Sequence, residues 1–241
     1  MDLGLTGRVA LVTASSKGLG RASAEALAAD GAAVVISARG REALEATAEH
    51  IRSTGGRVLA VESDVTDPAE PARLVAATVA EFGRLDILVA NAGGPPPGRA
   101  LDVDDDALTA ALNANLLTSI RLVREAVPHM RHGGWGRVCL ITSVSVRQPI
   151  RDLALSNTAR TGLWAWAKTA AQDLAEDGIT VNLACPGLHA TDRVKQLGHT
   201  GARIGDPGDF GKVVAFLCSE AAGFISGVAL GVDGGAVAGL L

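Results

Sequence analysis

Arg8-Val9-Ala10-Leu11-Val12-Thr13-Ala14-Ser15-Ser16-Lys17-Gly18-Leu19-Gly20 is the stretch whose reading decides the fold. Its first six residues hold an apolar run with no polar alternation, the pattern of a strand covered on both faces. Its last seven are small, polar or glycine except Leu19, and the helix formers Arg21 to Leu27 follow. A strand thus runs through a glycine loop into a helix. Gly18 and Gly20 let backbone come close to a ligand, and the helix N-terminus offers free N–H groups and a positive dipole end to a pyrophosphate. Ser15 and Ser16 are expected to add hydroxyl donors. A glycine pattern alone is weak evidence, because tight turns also demand it. Its position between a strand and a helix at the head of a βαβ unit favours a dinucleotide site.

Working outward, apolar runs alternate with helical stretches along the whole chain. Strands are expected over 8–13, 33–38, 57–62, 85–90, 136–142, 180–184 and 228–232. Helices are expected over 18–30, 42–53, 68–82, 104–115, 118–131, 156–177 and 207–219. This alternation predicts an α/β fold: a Rossmann-type doubly wound parallel sheet of about seven strands with helices on both faces. No linker, repeat or low-complexity segment interrupts it, so 1–241 reads as a single domain. Gly93-Gly94-Pro95-Pro96-Pro97-Gly98 follows a strand end and reads as a stiff rim loop.

Composition narrows the function. The 22 basic and 26 acidic residues give a net charge of −4, so no broad positive field exists to hold a nucleic acid. Cys139, Cys185 and Cys218 form no C-x-x-C pair, which argues for buried free thiols in a reducing cytoplasm and against a metal site or disulfide scaffold. No signal peptide or membrane-spanning run is visible. There are 29 glycines where about 17 would be usual. Tyrosine is absent, so no mechanism here can use a phenol from this chain.

The end of the second strand selects the cofactor. A carboxylate there would hold the ribose 2′-OH of NAD. The chain has Ser37-Ala38-Arg39 instead. Arg39 and Lys17 are placed to converge on a 2′-phosphate, which predicts NADP(H).

Together these motifs make the chain similar, over essentially its full length, to the short-chain dehydrogenase/reductase family, and closest to its 3-oxoacyl-acyl-carrier-protein reductase-like branch. Thr13 to Gly20 match its phosphate loop, with Ala14 in place of the first glycine. Ala90-Asn91-Ala92-Gly93 resembles its N-N-A-G strand end, and Asp64-Val65 the pair that flanks the adenine. Asn115-Leu116 resembles the Asn-Leu beside its active site. Pro186-Gly187 and Thr191 resemble the segment that holds the nicotinamide amide, and Gly231 to Gly235 the C-terminal V-D-G-G signature.

The family's catalytic Ser corresponds to Ser143, but its Y-x-x-x-K stretch reads Ser156-Asn157-Thr158-Ala159-Arg160. A phenol starts near pKa ~10 and is tuned down by a neighbouring cation. A serine hydroxyl is a far weaker acid. The resemblance implies a water-holding amide for Asn115, an oxyanion donor for Ser143, a weak donor for Ser156 and a ribose anchor for Arg160. The proton is then expected from water or from His189, three residues after Pro186, with Asp152 a weaker candidate. The segment after Thr191 is shorter than the family's substrate lid.

The leading expectation is therefore an oxidoreductase with an altered active site. It would act on a small-molecule or carrier-tethered carbonyl, with no nucleic-acid or membrane partner, as a homodimer or homotetramer through the 156–177 helix. On that helix, one of Trp164 and Trp166 is expected on the sheet and the other against a partner. The alternative is a catalytically impaired, nucleotide-binding pseudoenzyme serving as a partner subunit or redox sensor.

Overall fold

Seven short apolar runs pair side by side in the computed structural model, which describes residues 2–192, 194 and 203–239. They are β1 (Val9–Val12), β2 (Ala33–Ala38), β3 (Val58–Glu62), β4 (Ile87–Ala90), β5 (Gly136–Ile141), β6 (Ile179–Pro186) and β7 (Ala229–Val232). Their order is β3-β2-β1-β4-β5-β6-β7, with every pairing parallel. The strands β1, β4 and β5 are buried at every position, as apolar runs without alternation require.

The helices are α1 (Gly18–Ala29), α2 (Arg41–Ser53), α3 (Glu70–Phe82), α4 (Asp105–Leu112), α5 (Thr118–Gly133), α6 (Ala154–Asp173) and α7 (Pro207–Leu217). They cover both faces of the sheet. Leu27, Leu44, Ile51, Phe210 and Val214 pack beneath α1, α2 and α7. Leu74, Leu122, Met130, Leu163 and Ala170 pack beneath α3, α5 and α6. The strand order reverses between β1 and β4, so a crevice opens at their carboxyl ends, where ligands of such sheets bind. No helix among the described residues is long and apolar enough to cross a membrane.

Two helices differ from expectation. The stretch read as two separate helices is continuous: a π-helical turn, Asn113–Leu117, joins α4 to α5. The Thr118 hydroxyl donates to the Asn113 carbonyl (2.9 Å) and the Val65 carbonyl (3.0 Å), and Asn113 Nδ2 donates to the Thr66 carbonyl (2.9 Å). These bonds moor the widened turn to the loop after β3. The 156–177 helix begins earlier, at Ala154, and ends at Asp173; Ala175–Asp177 is a separate 3-10 turn closed by Gly178 in the left-handed region. Trp164 and Trp166 are both half-buried, and both pack in part on the cluster beneath α6, where only one of them was expected on the sheet.

The amino end of the sheet is held by buried charge. Arg137, 5% exposed, donates to the carbonyls of Ser219 (3.0 Å), Gly136 (2.8 Å) and Gly178 (3.2 Å). The Trp135 ring lies between two guanidinium groups, 3.8 Å from Arg8 and 4.2 Å from Arg137. Asp86 accepts from the Val9 N–H (2.9 Å) and from Arg84 (2.8 Å). Cys139, Cys185 and Cys218 are free and buried, as expected.

Candidate active site

The loop between β1 and α1 is braced from several sides. Ala14 takes φ +47°, the one positive φ at a non-glycine among the described residues, and Gly18 takes +59°. A Cβ on Gly20 would come within 2.5 Å of the Ala14 carbonyl oxygen and 2.7 Å of Asn91 Nδ2, so only glycine fits there. Thr13 Oγ1 donates to the Asn91 carbonyl (2.7 Å) and accepts from the Asn91 N–H (2.9 Å), while Asn91 Nδ2 donates to the Ala14 carbonyl (3.1 Å). Thr47 on α2 donates to the Ser16 carbonyl (3.0 Å).

One expected ligand donor is turned inward. Ser15 is fully buried; its hydroxyl donates to the Val12 carbonyl (2.8 Å) and accepts from the Ser37 N–H (3.1 Å). It splices the loop to β2 rather than facing the crevice. Ser16 and Leu19 are half-buried and Lys17 is exposed. Lys17 stands at the α1 N-cap and its side chain makes no capping bond, which leaves the first N–H groups of the helix to an anion.

Beside the loop, Arg39 is exposed at the end of β2 and Asp64 is exposed after β3. Asp64 accepts from the hydroxyl (2.8 Å) and N–H (3.1 Å) of Thr66. Those bonds, with a smaller contribution from the Arg39 charge, hold its carboxyl below the usual carboxylate range. Val65 is buried. Ala92 and Gly93 continue from Asn91 into the rim loop, which pairs with the loop before α6 through a bridge between Gly98 and Leu153.

Ser143, Asn115, Ser156 and Arg160 gather around α6. Ser143 caps a 3-10 turn, Val144–Val146, and its Oγ accepts from the Ser145 N–H (3.1 Å). With the oxygen so held, the hydroxyl proton is left to point elsewhere. Asn115 lies in the π-helical turn, 4% exposed, and neither Oδ1 nor Nδ2 has a hydrogen-bond partner. An unpaired buried amide costs about 1–3 kcal/mol, and single π turns recur at functional sites. Ser156 and Arg160 lie one turn apart on α6, each 7% exposed. Arg160 Nη1 donates to the Ile141 carbonyl at the end of β5 (3.0 Å). Beneath them, Cys185 Sγ lies 3.2 Å from Thr142 Oγ1, and burial pushes its thiol up to about 11.

His189 is not part of this group. It is 5% exposed, its ring meets Phe210 of α7 edge to face at 5.3 Å, and Nδ1 lies 3.3 Å from the Gly187 carbonyl. A bridge to Gly205 holds it there. Phe210 belongs to the α7 side of the sheet, whereas Ser143, Ser156 and Arg160 lie with α6 on the other side. Packed against Phe210, the imidazole also lines a cavity with Leu188, Arg203, Asp206 and Asp233. Asp152 is exposed on the rim, and its carbonyl accepts from the Gly98 N–H (2.8 Å). Pro186 ends β6 and Gly187 follows it, and a Cβ on Gly187 would lie 2.8 Å from Asp233 Cα. Thr191 lies across the phosphate loop, with Cγ2 3.5 Å from where a Cβ on Gly18 would be. Most of the expected shortened lid falls outside the described residues.

A family model described as Enoyl-(Acyl carrier protein) reductase matches residues 13–237. Versicolorin reductase 1 of Aspergillus parasiticus is 35% identical, over 96% of this chain and 97% of that protein. A 3-oxoacyl-[acyl-carrier-protein] reductase of Synechocystis sp. is 36% identical, over 97% and 98%. The chain is a member of the short-chain dehydrogenase/reductase family. The crystal structure of L-sorbose reductase from Gluconobacter frateurii, complexed with NADPH and L-sorbose, superposes with a TM-score of 0.93 at 32% identity, over 100% of both chains.

Within the short-chain dehydrogenase/reductase frame, sequence reasoning missed the struts of the site. The Thr13–Asn91 pair, the Thr47 bond and the inward turn of Ser15 link residues far apart in sequence. The strained φ of Ala14 had a signal: alanine replaces a family glycine. The π-helical turn around Asn115 had none, since its register is set by Thr118 and Val65.

Proposed function

We propose that the chain binds NADP(H) and moves a hydride between the nicotinamide and the carbonyl or alcohol carbon of a small-molecule or carrier-tethered substrate, with no side-chain phenol as acid. The observation that carries this reading is the α1 N-terminus, which the Lys17 side chain leaves uncapped, on a loop that Gly20 lets pack tightly against Ala14 and Asn91. The residues present fit the cofactor. Ser16, Gly18, Leu19 and Gly20 would hold the pyrophosphate, Lys17 and Arg39 the 2′-phosphate, and Asp64 and Val65 the adenine. Asn91, Ala92, Gly93, Pro186, Gly187 and Thr191 would flank the nicotinamide half. When bound, the cofactor supplies or accepts the hydride.

The chain's own residues do the rest. Ser143, its oxygen held by the Ser145 N–H, donates to the substrate oxygen as charge develops there. The unpaired Asn115 amide offers two polar partners for a water that delivers the proton. Arg160 keeps a cation beneath the ribose position while one arm braces β5. Ser156 contributes a hydrogen bond and no net proton.

NADPH oxidation over a panel of ketones and aldehydes tests the reading. Ser143→Ala should lower kcat/KM by ~10²–10³ and Ser156→Ala by less than tenfold. Equal losses would make Ser156 an oxyanion donor on a par with Ser143 and overturn the minor role given to it. Tight NADPH binding with no turnover of any carbonyl would favour the partner-subunit or sensor alternative. We further propose assembly as a homodimer or homotetramer through α6; a monomer by sedimentation equilibrium would overturn that.

A further inference from the structure

An arginine four residues after Ser143 has no part in the proposed hydride transfer. Arg147 directly follows the 3-10 turn Val144–Val146 that Ser143 caps, and two N–H groups, those of Arg147 (3.0 Å) and Gln148 (3.1 Å), close onto the Val144 carbonyl. The backbone under the guanidinium is therefore fixed four residues from the Ser143 hydroxyl, and Pro149 stiffens the exit. Arg147 is exposed, and no acidic side chain among the described residues lies within ion-pair distance of it. By contrast, Arg8, Arg21, Arg52, Arg73, Arg84 and Arg131 each hold a carboxylate.

Its charge reaches inward. Arg147 and Arg160 are the two cations that act on the Cys185 thiol, at the end of β6 just before Pro186 and Gly187. The 3-10 turn before Arg147 packs on α6 and β6, so Arg147 follows Ser143 at the carboxyl end of the sheet. Ile150, 40% exposed, lies on the same loop, and Leu101, 99% exposed, on the facing one, and the bridge between Gly98 and Leu153 joins these loops into one rim. An exposed arginine on a held backbone, on a rim that also carries exposed apolar side chains, suits an amphipathic anion, since guanidinium binds carboxylate or phosphate through paired N–H groups.

We propose that Arg147 reads a negatively charged group on the substrate, so that the carbonyl compounds used here carry a carboxylate or phosphate near the reacting carbon. This rests on the hydride-transfer reading of the site and names its substrate class. Arg147 is a specificity residue, not an acid: its guanidinium stays protonated.

The test uses NADPH-loaded protein and three matched pairs: pyruvate with methyl pyruvate, acetoacetate with methyl acetoacetate, and dihydroxyacetone phosphate with dihydroxyacetone. Binding is read from the fluorescence of bound NADPH, and its oxidation is recorded in parallel. In at least one pair the charged member should bind about 10- to 100-fold more tightly, the scale of a charge-assisted hydrogen bond. Arg147→Gln should erase that difference and Arg147→Lys should keep part of it. A preference in the third pair alone identifies phosphate; one in the first two identifies carboxylate. The proposal falls if charged and neutral members bind alike in every pair, or if the difference survives Arg147→Gln. A preference erased by Arg147→Gln without NADPH oxidation leaves Arg147's role standing and sinks hydride transfer. Turnover of neutral members with no charge preference does the reverse.

Discussion

At Ala14 the chain keeps a backbone shape suited to glycine while carrying a side chain. A left-handed φ of +47° costs a non-glycine residue about 1–2 kcal/mol, and glycine would give back part of that through its freer unfolded state. Ala14→Gly should therefore stabilise the protein by about 1 kcal/mol, read as a higher urea midpoint with an unchanged slope. Ser15 shows the opposite case, a polar residue whose chemistry is consumed by the fold. The sequence told that a hydroxyl stood in the phosphate loop; it could not tell that Ser37, on the next strand, would claim it. The packing of His189 was hidden for a similar reason. Its distance from Pro186 suggested the crevice, and Phe210, about twenty residues later, drew it to the other layer.

Elements were more legible than their joints. Buried strands announce themselves by unbroken Val, Ile and Leu, and the two changed positions 156 and 160 fell one helical turn apart as the i, i+4 rule requires. The π-helical turn between α4 and α5 escaped, because its geometry depends on bonds to the β3 loop. Helix pairing depends on single atoms too. A Cβ on Gly211 of α7 would collide with the Ala22 carbonyl of α1, a backbone atom that cannot step aside. Gly211→Ala should push α7 off α1 and cost about 1–3 kcal/mol, seen as a lowered urea midpoint. Because α1 also presents its N-terminus to the phosphates, weaker NADPH binding by calorimetry should accompany the loss.

Across the whole molecule, structure and chemistry occupy opposite ends of the sheet. The amino end is closed by Arg137, Trp135, Arg8 and Asp86, and the carboxyl end carries the glycine loop before α1, the rim loop and the turn that Ser143 caps. Fold and nucleotide loop could be read from the sequence because they rest on local pattern. The proton path could not, because it depends on what surrounds an absent phenol.

The bond from Arg160 to the Ile141 carbonyl ties the altered site to the fold. Arg160→Lys alone should lower stability by about 1–2 kcal/mol, measured by thermal melting, while restoring no acid. Tyrosine at 156 without lysine at 160 would lack the cation geometry that tunes a phenol in the family. A change to lysine at 160 is therefore opposed by folding whatever residue 156 carries, because the strand end loses its brace.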